Sequence, residues 1–151
     1  MMTTMTRMTL LALLVAAGCN QSNGDNLTGT HTLKSGLASN ECAHERAIDV
    51  TLAAGEQTLT VAHVKGEEDA LSLNDTNWGN CQFFASAEGP SDATVVSNYP
   101  KCVDPTGSGS ADTLSLTGGT LRHRGGHLEV SFQITTVTNG ALCSSDQTLT
   151  F

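Results

Sequence analysis

The sequence predicts an all-β fold: a single antiparallel meander of about eight strands, folded as a small β-barrel or a sandwich and braced by two disulfides. Three observations lead there. Apolar and polar residues alternate with period two in several short runs, the pattern of a sheet with one buried face. Turn-forming clusters ("AAGEQ", "VKGEED", "EGPSD", "GSGSAD", "RGGH", "TNGA") recur roughly every 8–12 residues, the rhythm of a sandwich or barrel. Four cysteines follow Cys19, an even number with no C-x-x-C spacing, which fits two disulfides better than zinc or a redox motif.

The chain begins differently. Leu10–Gly18 carries no charge and is nine residues long, against about 20 for a membrane-spanning helix. Arg7 precedes it and small residues close it, the layout of a secretory signal. The closing "AAGC" resembles the lipobox of bacterial lipoproteins. That resemblance implies removal of residues 1–18, acylation of Cys19, and a membrane partner held through the lipid. Asn20 after the cysteine, by the same resemblance, favours the outer membrane. Residues 19–26 then read as lipidated cysteine and flexible tether, because "NQSNGDN" is small, polar and unable to fill a core. Residues 27–151 form the all-β domain.

Within that domain the strands are read from parity. "ASNECAHERA" is the only helix candidate, a turn or two. "AIDVTL" puts Ile48, Val50 and Leu52 on one face, and "QTLTVAHV" does the same for Leu59, Val61 and His63. "HLEVSFQIT" is the clearest run: Leu128, Val130, Phe132 and Ile134 alternate with His127, Glu129, Ser131 and Gln133. Leu114 and Leu116 share one parity and Leu121 has the other, so a bulge or bend is expected across Gly118–Gly119.

A turn at Pro90–Ser91 would set Glu88 opposite Ala93 and Cys81 opposite Pro100, with Cys102 on the same face as Cys81. That register pairs Cys81 with Cys102. It leaves Cys42 with Cys143, which would join an early strand to the last, neighbours in a closed meander. Four cysteines allow three connectivities, so the pairing rests on this register.

Two stretches invite a metal reading, and both argue against it. In "RHRGGH" a two-residue Gly125–Gly126 turn puts His123 and His127 on opposite faces. In "NDTNWGN" Asp75 and Asn77 have calcium-loop spacing, but Asn80 and Ser86 occupy the positions of the loop's glycine and glutamate. This leaves an acidic, solvated loop in which Trp78 either covers one end of the core, the favoured role, or stands as an exposed contact residue. No metal or other cofactor is expected. There is no G-x-S-x-G elbow, H-E-x-x-H, P-loop or dinucleotide fingerprint, and no enzyme is expected. The net charge of -8 disfavours nucleic acid.

The sequence therefore points to a lipid-anchored envelope protein, a non-catalytic binding or structural module that meets an envelope protein through loops or an edge strand. A lipocalin-like carrier of a small apolar ligand is the alternative. A protease inhibitor offering residues 99–107, with Lys101 exposed beside Cys102, is a weaker one.

Overall fold

A computed structural model describes residues 21–42, 46–97, 101–109 and 112–151. The signal segment, Cys19, Tyr99 and Pro100 lie outside these. Eleven strands run in chain order: β1 (Gly29–Thr32), β2 (Ser35–Cys42), β3 (Ile48–Leu52), β4 (Thr58–His63), β5 (Ala70–Asp75), β6 (Phe83–Gly89), β7 (Asp92–Val95), β8 (Cys102–Val103), β9 (Thr113–Arg124), β10 (His127–Thr138) and β11 (Ala141–Thr150). They form one antiparallel sheet in the order β1-β4-β5-β6-β7-β9-β10-β11-β2-β3, with β8 paired to β9 beside that path.

The count is eleven rather than about eight because the chain bends. β1 and β2 are halves of one run, split at Leu33–Lys34. There the backbone amides change partners: Leu33 N donates to Gln57 O and Lys34 N to Thr150 O. A turn at 53–57 splits β3 from β4 in the same way, and β8 is a two-residue ladder. Because β1 lies at one end of the order and β2 near the other, two residues apart in sequence, the sheet curls back on itself into a barrel-like shell.

The shell is filled by the alternating residues. Leu59, Val61, Leu121, Leu128, Val130, Phe132 and Ile134 are all buried. On β9 and β10 the ladder steps from Gln133↔Gly118 to Ile134↔Leu116, so Thr117 is the extra residue of a bulge. The bulge moves inward parity by one and lets Leu114, Leu116 and Leu121 all face the core. Gly119 sits at φ +149, and a Cβ there would lie 2.3 Å from the Ser131 carbonyl oxygen, so only glycine allows this approach. The Gly125–Gly126 turn has φ of 56° and 81°, the doubly positive pattern of a type I′ hairpin.

Several expectations are corrected. Residues 38–42 are strand, part of β2, and not a helical turn; of the rest of that candidate, 43–45 lie outside the described residues, and Arg46 and Ala47 are in neither helix nor strand. The β6–β7 hairpin does not follow a plain two-residue register. Ala87 faces Ala93 and Glu88 bulges out, and β7 ends at Val95 instead of running on toward Cys102. The chain returns as β8 on β9, with Cys102 opposite Leu114, and it is from there that Cys102 bonds to Cys81. Cys42 is bonded to Cys143, directly opposite it on the β2–β11 ladder.

β3 also departs from expectation. Ile48 and Val50 lie opposite Asn40 and Ala38, on the inward side of the ladder, yet they are 61% and 40% exposed. β3 ends the sheet order, so no further strand covers that side.

The supposed tether is folded from Ser22 onward. Gly24 N donates to Gly89 O and Asn26 N to Pro90 O, at 2.8 and 2.9 Å. Asn23 Nδ2 donates to Asp69 Oδ1, and His63 Nε2 donates to Asp25 Oδ1 at 3.0 Å. Leu27 is fully buried. A polar, glycine-containing run cannot build a core, but its amides can satisfy carbonyls at a barrel rim while one leucine pins it in place. Residues 22–27 thus cap the end of the shell that holds the β4–β5 and β6–β7 turns.

Candidate functional site

At the opposite end, among the described residues, the shell is open. Here β2 and β11 are joined by Cys42–Cys143, β9 begins near Leu114, and the β5–β6 connection crosses the rim. A cavity of about 420 Å³ lies in this mouth.

Its floor is set by the β5–β6 connection. Asp75 caps a 3₁₀ turn, Thr76–Trp78, by accepting from Asn77 N at 2.8 Å. The turn drops Trp78 into the shell, 2% exposed, with its ring edge-on to Phe83 and Phe132 at 5.2 Å each. Trp78 covers the core, the favoured of the two roles its sequence leaves open, and is not an exposed contact residue. Asp75 does not stay in a solvated loop: it is 3% exposed. Burial pushes its carboxyl above the usual carboxylate range, opposed by the hydrogen bonds from Asn77 N and Gln57.

The turn ends on Gly79, whose φ is +59. A Cβ there would lie 1.9 Å from the Pro105 carbonyl oxygen, against which the loop 104–109 packs. That loop is tied by Asp104, which accepts from Gly109 N, Ser108 N and Thr106 Oγ1. The Gly109 amide leads in holding the Asp104 carboxyl below its usual range. Gly79→Ala is therefore expected to destabilise the fold by about 2 kcal/mol, from backbone strain and displacement of Pro105. Equilibrium urea unfolding checks this; a Gly79→Ala variant as stable as the parent refutes it.

Gln57 connects the floor to the cavity. It is 2% exposed, and its Nε2 donates to Asp75 Oδ2 at 2.6 Å. An ionised carboxylate only accepts, so this contact fixes which way the amide points. Gln57 Oε1 is left buried with no hydrogen-bond partner, and so are Ser145 Oγ and Gln147 Oε1. All three residues line the same cavity. Ser145 and Gln147 lie opposite Ile134 and Phe132 on the β10–β11 ladder, so they occupy core-facing positions. Leu114, Ile134 and Trp78 supply apolar surface, and among the described residues no charged side chain lines the cavity.

The sequence does not single out Gln57, Ser145 or Gln147. Ser145 and Gln147 were accessible to the parity argument: counting across the "TNGA" turn from Phe132 and Ile134 shows two polar residues entering the inward row of "ALCSSDQTLT". Gln57 has no such signal, because it lies in a turn. Of the residues the sequence does single out, Cys42, Cys143, Asn77 and Trp78 meet at this mouth, whereas Cys81–Cys102 braces the loop beside it. His123 and His127 are at the other end. There His127 is exposed and its Nδ1 accepts from Lys34 Nζ at 2.8 Å. Among the described residues no group of three or more His, Cys, Asp or Glu gathers to hold a metal ion. Lys101 is exposed, as the inhibitor reading requires, and Cys102–Val103 of that stretch are committed to β8.

Comparisons with protein-family models, with curated proteins and with solved structures give no match. The geometry of the described residues defines the class: a barrel-like β domain, capped at one end and opening at the other onto a cavity that they line with uncharged side chains.

Proposed function

We propose that this protein is a lipid-anchored, non-catalytic binding module of the bacterial cell envelope, tethered through Cys19 and presenting its open mouth away from the membrane. The single observation that carries this is the cap formed by residues 22–27. Only Asn20 and Gln21 separate Cys19 from Ser22, three Cα–Cα steps with a reach of about 10 Å. An acylated Cys19 would thus hold the capped end against the bilayer and leave the cavity on the far side. Counted by continuous runs of chain, with β1–β2 and β3–β4 each taken as one bent strand and the two-residue β8 set aside, the domain reads as an eight-stranded barrel. Its first and last strands are then neighbours.

A carrier of a small apolar ligand draws less support. The interior is packed with leucine, valine and phenylalanine, and the space that remains mixes a largely apolar lining from Trp78, Leu114 and Ile134 with amides and hydroxyls, which a purely apolar ligand would leave without partners. Docking of an envelope protein gains one observation of its own. β3 ends the sheet and exposes Ile48 and Val50 beside the mouth, an unpaired edge that an added strand could extend.

Intact-mass spectrometry on protein extracted from its own membrane tests the anchor. The expected mass is residues 19–151 plus acyl chains, less four hydrogens for two disulfides. An unacylated mass, or one starting at another residue, would overturn the anchored reading.

A further inference from the structure

We infer that the mouth cavity binds a small, uncharged polyhydroxyl compound of monosaccharide size. This deepens the binding-module reading and does not depend on the lipid anchor. The inference stands on three features of one cavity.

The first is an unmet need for hydrogen-bond donors. Gln57 is almost fully buried, its amide is oriented by Asp75, and its Oε1 has no partner. A buried acceptor left unpaired is costly, and structures rarely tolerate one without a ligand or an ordered water. The fixed Oε1 requires a donor. Ser145 Oγ and Gln147 Oε1 are likewise buried without a partner, and a hydroxyl or a side-chain amide can present a donor or an acceptor. A hydroxyl group, which both donates and accepts, satisfies all three.

The second is the absence of charge. Among the described residues no Asp, Glu, Lys or Arg lines the cavity, and against such a lining an ionised ligand would lose its hydration without gaining a counter-charge. That excludes carboxylates, phosphates and ammonium groups as the main determinant.

The third is the apolar side. Leu114, Ile134 and Trp78 face the same space as the polar trio. A sugar ring presents hydroxyls around its edge and C–H groups on its faces, and this cavity offers both surfaces. Its volume of about 420 Å³ falls in the range of small-molecule sites.

The test is a titration of the disulfide-bonded chain followed by ¹H–¹⁵N NMR. The reporters are the indole of Trp78, the only tryptophan in the chain, and the side-chain amides of Gln57 and Gln147. The probes are glucose, galactose and N-acetylglucosamine, with gluconate and glucosamine as charged analogues and hexanol as an apolar one. The expected result is saturable shifts of these three reporters with at least one neutral sugar. The matching charged analogue should bind at least about tenfold more weakly. Gln147→Leu should weaken sugar binding about tenfold while leaving thermal stability unchanged or higher, since it removes an orphan acceptor. Ser145→Ala gives a second, independent reduction.

Tighter binding of hexanol than of any sugar would overturn the inference and leave a binding module of the carrier type. Equal binding of gluconate and glucose, or unchanged affinity in Gln147→Leu, would also overturn it. No saturable shift with any probe on folded protein would mean that the cavity holds only water. Neither result touches the acylation that mass spectrometry reads.

Discussion

Replacing Cys42 and Cys143 together by alanine is expected to destabilise the domain by about 4–5 kcal/mol, the largest single effect in the molecule. The two cysteines are 101 residues apart, and the chain-entropy model gives about 4.7 kcal/mol for closing a loop of roughly 100 residues. Cys81 and Cys102 are separated by 21, for which the same model gives about 3 kcal/mol. The difference has a structural counterpart. Cys42 and Cys143 are the outermost paired residues of the β2–β11 ladder at the open mouth. Without the bond nothing covalent resists fraying there, and Asn40 and Ser145, the next inward-facing pair on that ladder, sit one step further in. The double variant should therefore lose the mouth cavity before it loses the fold. Equilibrium urea unfolding of the two double-alanine variants measures the order of effects. A smaller loss for Cys42/Cys143 than for Cys81/Cys102 would refute it.

What the sequence makes legible here is whatever depends on parity. β10 can be read directly from "HLEVSFQIT", and the swap of inward parity between Leu116 and Leu121 predicts a bulge or bend, expected across Gly118–Gly119 and formed one residue earlier, at Thr117. The cysteine pairs follow from the same arithmetic, although the β6–β7 register used to reach one of them is not the register formed: Glu88 bulges, and Cys102 arrives on β8.

What stays hidden depends on partners distant in sequence. Residues 22–27 look like a tether because their own side chains are small and polar. Their fold comes from Gly89, Pro90, Asp69 and His63, some 40–65 positions away. Asp75 looks solvated for the same reason. Nothing in "NDTNWGN" reveals that Gln57, 18 residues earlier, receives it in the interior. Ile48 and Val50 show the reverse error. Alternation assigns a face correctly, but burial also requires a neighbour to cover that face, and β3 ends the sheet.

Gln57→Leu is expected to cost about 3 kcal/mol at neutral pH, and the cost should shrink on acidification. The Nε2–Asp75 contact is a hydrogen bond to a buried carboxylate, a type worth about 1.5–3 kcal/mol. Removing it leaves Asp75 with the Asn77 amide as its remaining partner. The sign of the pH effect follows from the direction of the Asp75 shift. Burial raises the folded pKa above the unfolded value, about 3.9. Between the two values the native state holds more protons than the unfolded chain, so stability rises as pH falls through the folded pKa. Above that pKa the penalty for the buried charge is fully present; below the unfolded value it is gone. Leucine at 57 removes a contact that lowers this pKa, so the shift widens and the loss at neutral pH grows. Denaturation from about pH 8 to about pH 4 should show the gap between parent and variant closing. A gap constant across that window would refute the assignment. Asp75→Asn supplies the cross-check. With no charge to bury, the Gln57 amide can turn over, so that its Oε1 accepts from the new amide and its Nε2 faces the mouth. The pH dependence should vanish, and the Gln57→Leu cost on that background should fall below the cost on the parent.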